Sequence, residues 1–163
     1  MSLTEYRAEI EAVASQFSLD PDLVEAVVLT ESSGKTHAYR FEPGFWQRYM
    51  QHKPQWDGAN PERVSSSYGL MQIMYPVACE VGLKENAPEY LFVPTIGLHW
   101  GCKKLRSLLD WSKQNVDQAL AAYNGGKGGN DKPPYRNQWY VDKVKKNLDR
   151  IYDTRQVAEE DGA

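Results

Sequence analysis

The stretch Leu23–Gly34, LVEAVVLTESSG, carries an apolar run into a carboxylate. Val24, Val27, Val28 and Glu31 fall at helical spacing and share one face. Leu23, Ala26 and Leu29 leave little polar surface elsewhere, so the pattern predicts a helix buried nearly all round. Glu31 then projects from an apolar face close to the helix C-terminus. Low dielectric and the negative end of the helix dipole both disfavour its ionised form. A carboxyl kept protonated near neutral pH is what a general acid requires. The plainer alternative is a surface carboxylate or salt-bridge partner, because structural ion pairs also perturb carboxyls. A second carboxylate, Glu42, lies in the aromatic segment YRFEPGFWQRYM between Arg40 and Pro43. It is a candidate second acid that activates water, or simply a partner for Arg40.

The elements that must position these groups read as mostly helical. Leu3, Tyr6, Ile10, Val13 and Phe17 repeat at three and four, which predicts an amphipathic helix over 2–17. Asp20 and Pro21 supply an N-cap and a first helical residue for the Glu31 helix, and Gly34 is placed to end it. FWQRYM suits a short helix, 55–61 reads as loop, and LMQIM as a short strand or tight buried loop. Pro76 opens a helix through Val81, and Pro94 opens another over 94–111, with Gly97 and Gly101 allowing close packing. Asp117 can cap the Ala-rich QALAAYN, and a last helix runs over 135–152 with Tyr140, Val144, Leu148 and Ile151 on one face. The segment 153–163 has too few apolar residues to pack and is expected to be a disordered tail.

Composition limits the function. The 163 residues are enough for one domain with a real core. A net charge of −3 argues against a general nucleic-acid binder. The charge is uneven: residues 1–100 carry 7 Lys/Arg against 13 Asp/Glu, and the remainder is net positive. That asymmetry reads as differently solvated faces. Cys79 and Cys102 sit in helical patterns among apolar residues and are expected to be buried thiols rather than a bridge. The three histidines are scattered, so no metal or cofactor is expected. No transmembrane segment is expected, and MSLTEYRAEIEAV has acidic residues where a signal peptide would be basic and then apolar. The expectation is a monomer made in the cytoplasm.

Four pieces stand in a set order: ES at 31–32, SYGLMQIM at 67–74, the helix after Pro94, and AAYNGG at 121–126. This order resembles the soluble lytic transglycosylase family, relatives of goose-type lysozyme, over roughly residues 17–150. GLMQIM with AYNGG carries the likeness, and LFVPTIGLHWGCKKLRSLL also looks like the family's stretch leading into its long helix. The resemblance implies a mostly α, lysozyme-like α+β domain over 1–152, with a small β or irregular element near residues 65–74 and an insert at about 35–64. It implies cleavage of peptidoglycan glycan strands between N-acetylmuramic acid and N-acetylglucosamine, closing a 1,6-anhydro ring.

Carried over position by position, Glu31 matches the catalytic acid. Gln72 and Met74 match positions lining the sugar groove, and Tyr123 matches the tyrosine beside the carboxylate, followed by Asn124. Ser32, after the acid, counts with the substrate-binding set or serves structure. Such an enzyme needs one carboxyl, because the substrate's own 6-hydroxyl is the nucleophile, whereas ordinary glycoside hydrolysis uses two.

Three departures stand out. The connection from Glu31 to Gly69 is longer than usual in the family, and its Phe45, Trp46 or Tyr49 could stack on a sugar or pack away. It contains Glu42, which would suit a hydrolytic muramidase. Many relatives have an acidic residue shortly before a Tyr-Val pair, where this chain has YRNQW before Tyr140-Val141, leaving Arg136 or Asn137 as replacements. The rival from another class is a non-catalytic cell-wall glycan-binding module. The lack of a signal peptide and of a wall-binding module suits a phage-derived lysis or virion enzyme, or a domain of a larger chain.

Overall fold

Helix α2 (Pro21–Ser32) is the centre of the chain's computed structural model, which describes residues 3–84 and 86–162. The Asp20 side chain accepts from the Asp22 amide at 2.9 Å, and Pro21 occupies the first turn. Val24, Ala26, Val27 and Val28 are fully buried, as an apolar surface on every side requires. The left-handed residue that ends α2 is Ser33 (φ 54°), with Gly34 (φ 77°) continuing the turn.

Helix α1 (Arg7–Gln16) begins later than its periodicity predicts. The amides of Leu3 and Thr4 donate instead to Glu25 Oε1, each at 3.0 Å. Glu25 is 1% exposed, and its other oxygen accepts from Arg7 at 2.8 Å. A carboxylate this deep is tolerable because both oxygens are engaged. The expected start at residue 2 lies outside the described residues.

The chain between α2 and residue 64 is ordered. It contributes strand β1 (Tyr39–Phe41), helix α3 (Pro43–Phe45) running into a π turn (Trp46–Met50), a 3-10 turn (Pro54–Trp56) and helix α4 (Pro61–Val64). The 55–61 segment is therefore not simply loop: Asn60 caps α4 by accepting from the Arg63 amide at 3.2 Å. Strands β2 (Ser66–Tyr68) and β3 (Ile73–Met74) complete an antiparallel sheet in the order β1-β2-β3. LMQ forms the turn between them, and only IM is strand. Leu70 and Met71 are buried, as expected of core residues.

Helices α5 (Tyr75–Glu80), α6 (Pro94–Trp111), α7 (Val116–Gly125) and α8 (Gln138–Asp161) follow. The cap of α7 is Asn115, which accepts from the Gln118 amide at 3.0 Å, rather than Asp117. Gly101 lets α6 close onto the β2–β3 turn, since a Cβ there would meet Met71 Sδ at 2.3 Å. Cys102 is buried and Cys79 half-buried, both free.

The last helix does not stop at 152. It continues to Asp161, so the expectation of a disordered segment is corrected over 153–161. Those residues are largely exposed, as their polarity requires. Arg, Gln, Ala and Glu favour helix without a core contact, and Arg155 ties the extension back to Asp22 at 2.7 Å. Ala163 lies outside the described residues.

Candidate active site

The sheet register builds one wall of a cleft. Arg40 pairs with Ser67, and Ser67 with Met74. Alternate strand residues face opposite sides, so these three form a row on one face. All three line a cavity of about 430 Å³ together with Glu31. The opposite face carries Tyr39, Tyr68 and Ile73, of which Tyr68 and Ile73 are buried.

Helix α8 positions the other side of Glu31. Tyr140, Lys143 and Asn147 recur at three and four and meet the end of α2. Asn147 Nδ2 donates to Thr30 Oγ1 at 2.9 Å, and Lys143 Nζ donates to Thr30 O at 3.5 Å. The Tyr140 hydroxyl donates to Glu31 Oε1 at 2.7 Å. Tyr140 is 1% exposed and lies behind the carboxyl rather than in the cleft. Among the described residues, Glu31 Oε2 has no hydrogen-bond partner.

Burial pushes the Glu31 pKa above its ordinary 4.5. The Tyr140 hydrogen bond and the charges of Lys104, Arg40 and Lys143 oppose the rise without cancelling it. Lys104, from α6, also lines the cleft; burial lowers its pKa to about 8 despite the nearby Glu31. Its Nζ donates to Tyr123 O at 2.8 Å and lies 4.1 Å from the Tyr123 ring centroid. A protonatable carboxyl and a weakly basic amine thus share one partly enclosed space.

Most residues expected at the site meet there. Gln72, Met74, Tyr123 and Asn124 all line the cleft. Gln72 adopts a left-handed backbone (φ 48°), and its Nε2 donates to Ala38 O (3.0 Å) and Gly69 O (3.1 Å). Its Oε1 is therefore the end left for a ligand. The Tyr123 hydroxyl donates to Met71 O at 2.8 Å, so the tyrosine hydrogen-bonded to the carboxyl is Tyr140, not Tyr123. Asn124 Oδ1 accepts from Asn137 Nδ2 at 3.1 Å.

Ser32 departs from the expected substrate-binding set. It is buried, and its hydroxyl bonds Val28 O and Leu70 O, fastening α2 to the β2–β3 turn. Glu42 does reach the cleft, but Arg40 Nε holds its Oε1 at 2.6 Å. Phe45 and Tyr49 line the cleft too, whereas half-buried Trp46 packs against the core. Arg136 donates to Gly125 O, and Asn137 donates to Ala121 O, so both brace the α7 end of the cleft.

Tyr140 and Lys104 were missed as site residues. Each sits at an ordinary helical position, and the one available signal was a polar atom on an otherwise apolar stripe. A larger cavity of about 830 Å³ lies between α1 and α6, lined by Val13, Ile96, His99 and Trp100 among others. It contains none of the residues just described.

A model of the transglycosylase SLT domain matches residues 9–145. The chain belongs to the transglycosylase SLT domain family. A transglycosylase of Enterobacteria phage PRD1 is 32% identical to this SLT domain over 145 residues. The match covers 88% of this chain and 43% of the phage protein, so the chain spans less than half the length of that relative. The lytic transglycosylase Slt of Pseudomonas aeruginosa, in an inactive mutant form, shares the fold with a TM-score of 0.69 at 20% identity. That likeness covers 93% of the SLT domain here and 24% of the Pseudomonas chain. The fold shared with Slt agrees with the expected mostly α, lysozyme-like architecture with its small sheet. No helix among the described residues is long and apolar enough to cross a membrane.

Proposed function

We propose that this chain is a peptidoglycan lytic transglycosylase in which Glu31 acts first as general acid and then as base. The observation that carries the reading is the Glu31 carboxyl itself. Burial raises its pKa, Tyr140 holds one oxygen, and the residue lines the cleft. Family membership and the phage relative's name support the activity.

In the first step Glu31 gives its proton to the glycosidic oxygen, and the bond to C1 of the muramic acid breaks. Positive charge develops at C1 and the ring oxygen. Glu31 is now ionised, and Tyr140, Lys104, Arg40 and Lys143 favour that state. In the second step it takes the proton of the sugar's own 6-hydroxyl, whose oxygen bonds C1 and closes the 1,6-anhydro ring. No water is consumed and the carboxyl ends protonated again. Gln72 Oε1, Met74 and Asn124 would position the sugars, and holding the 6-hydroxyl near C1 supplies much of the acceleration.

A second reading is hydrolysis with Glu42 activating water, favoured by the presence of both carboxylates in one cleft. Arg40 occupies Glu42, which weighs against it. Mass spectrometry of soluble products from purified peptidoglycan separates the two. Muropeptides lighter by one water and resistant to borohydride are expected, while reducible muramic ends would establish hydrolysis. No soluble product, with retained glycan binding, would leave a binding module. Glu31→Gln should lower turnover about a hundredfold or more while the glycan still binds. The phage relative and the wall substrate together suggest an enzyme acting on the bacterial wall during a phage cycle.

A further inference from the structure

The cleft does not end at the aromatic pair of the insert. Phe45 and Tyr49 have ring centroids 4.9 Å apart and line the Glu31 cleft. The same two residues line a second cavity of about 380 Å³, shared with Lys53, Gln55, Trp56 and Glu80. Its volume falls in the roughly 300–1,000 Å³ range of ligand pockets. One wall is insert and the other is the end of α5, so the cavity exists only because of the insert.

Its charges distinguish it from a sugar site. Lys53 and Glu80 are exposed, and among the described residues neither is in an ion pair. An N-acetylated glycan backbone is neutral and offers these groups nothing to pair with. The peptide stem of peptidoglycan carries carboxylates and, when uncrosslinked, an ammonium. It hangs from the lactyl group of muramic acid, the sugar whose C1 reacts at Glu31 in the function proposed above. The second cavity adjoins the Glu31 cleft at Phe45 and Tyr49, next to where that sugar would sit.

We propose that the insert cavity is a subsite for the peptide stem, with Lys53 facing a stem carboxylate and Glu80 a stem ammonium. Phe45 and Tyr49 divide sugar from peptide, and Trp56 covers the apolar alanyl parts. This proposal rests on the peptidoglycan reading of the Glu31 cleft.

The test is binding to the Glu31→Gln protein, which removes turnover from the measurement. Two soluble ligands are compared: a GlcNAc–MurNAc saccharide bearing its stem, and the same saccharide with its lactyl carboxyl capped as a simple neutral amide in place of the stem. The stem-bearing ligand is expected to bind more tightly. Adding Lys53→Glu should cost it roughly threefold, the scale of an exposed ion pair, and narrow the gap between the ligands. Lys53→Arg should restore the gap. Equal affinities in the Glu31→Gln protein, or the same loss for both ligands on Lys53→Glu, would overturn the peptide assignment alone. Failure of both ligands to bind would remove the peptidoglycan reading together with it. A gap that persists when the native protein shows no turnover would uphold the subsite and count only against catalysis.

Discussion

The Tyr140 hydroxyl donates to Glu31 Oε1 at 2.7 Å, joining the first turn of α8 to the end of α2 across 109 positions of sequence. The bond favours the ionised carboxyl and works against the burial that favours the neutral one. Tyr140→Phe removes only that donor. The Glu31 pKa should rise further, moving the alkaline limb of the pH–rate profile upward. Activity should fall roughly ten- to a hundredfold, because a hydrogen bond to a charged group contributes about 1.5–3 kcal/mol. A profile with an unmoved alkaline limb would show that Tyr140 does not tune the acid.

Glu31 should lower stability at neutral pH. Its folded pKa lies above the unfolded value near 4.5, so the folded chain binds the proton more tightly. Below that value both states are protonated and the residue costs nothing. As pH rises, the unfolded chain ionises first and stability falls, levelling off once the folded carboxyl also ionises. Glu31→Gln should therefore melt above the native protein at pH 7, with the difference closing by about pH 4. Thermal denaturation at the two pH values measures this, and a constant difference would contradict it.

Glu42→Gln should keep activity within about threefold, as expected for an exposed Arg40–Glu42 pair of small energetic weight. Product analysis should still give 1,6-anhydro ends. A loss as large as that of Glu31→Gln would support two-carboxylate hydrolysis instead.

Gly101→Ala tests the seam between α6 and the β2–β3 turn. The new Cβ would lie 2.3 Å from Met71 Sδ and 2.7 Å from Met71 Cβ, so the Met71 side chain must move. Overpacking of this kind costs about 1–3 kcal/mol. Met71 O accepts the Tyr123 hydroxyl, so KM should rise as well. Urea denaturation with an unchanged midpoint would mean that the turn absorbs the methyl freely.

The parts legible in the sequence are those that local interactions specify. Asp20, Pro21 and the valine spacing were enough to place α2 and put Glu31 at its end. Pro94 and the apolar repeat gave both limits of α6. The pairing of GLMQIM with AAYNGG located nearly half of the cleft lining, because those motifs resemble a family whose architecture is shared. Cap identity was decided by the fold: Asn115, two residues before the expected Asp117, caps α7.

What the tertiary structure alone decided depends on contacts between distant residues. β1 is only three residues long and exists through its pairing with β2, which no property of YRF announces. Ser32 looked like part of the site by adjacency to Glu31, yet one helical step rotates a side chain by about 100°, turning it to Leu70 O. Tyr140 was placed on the apolar face of α8 from the spacing of its neighbours. Which residue of that face meets Glu31 depends on how α8 lies across α2, and helix periodicity fixes a face but not its partner.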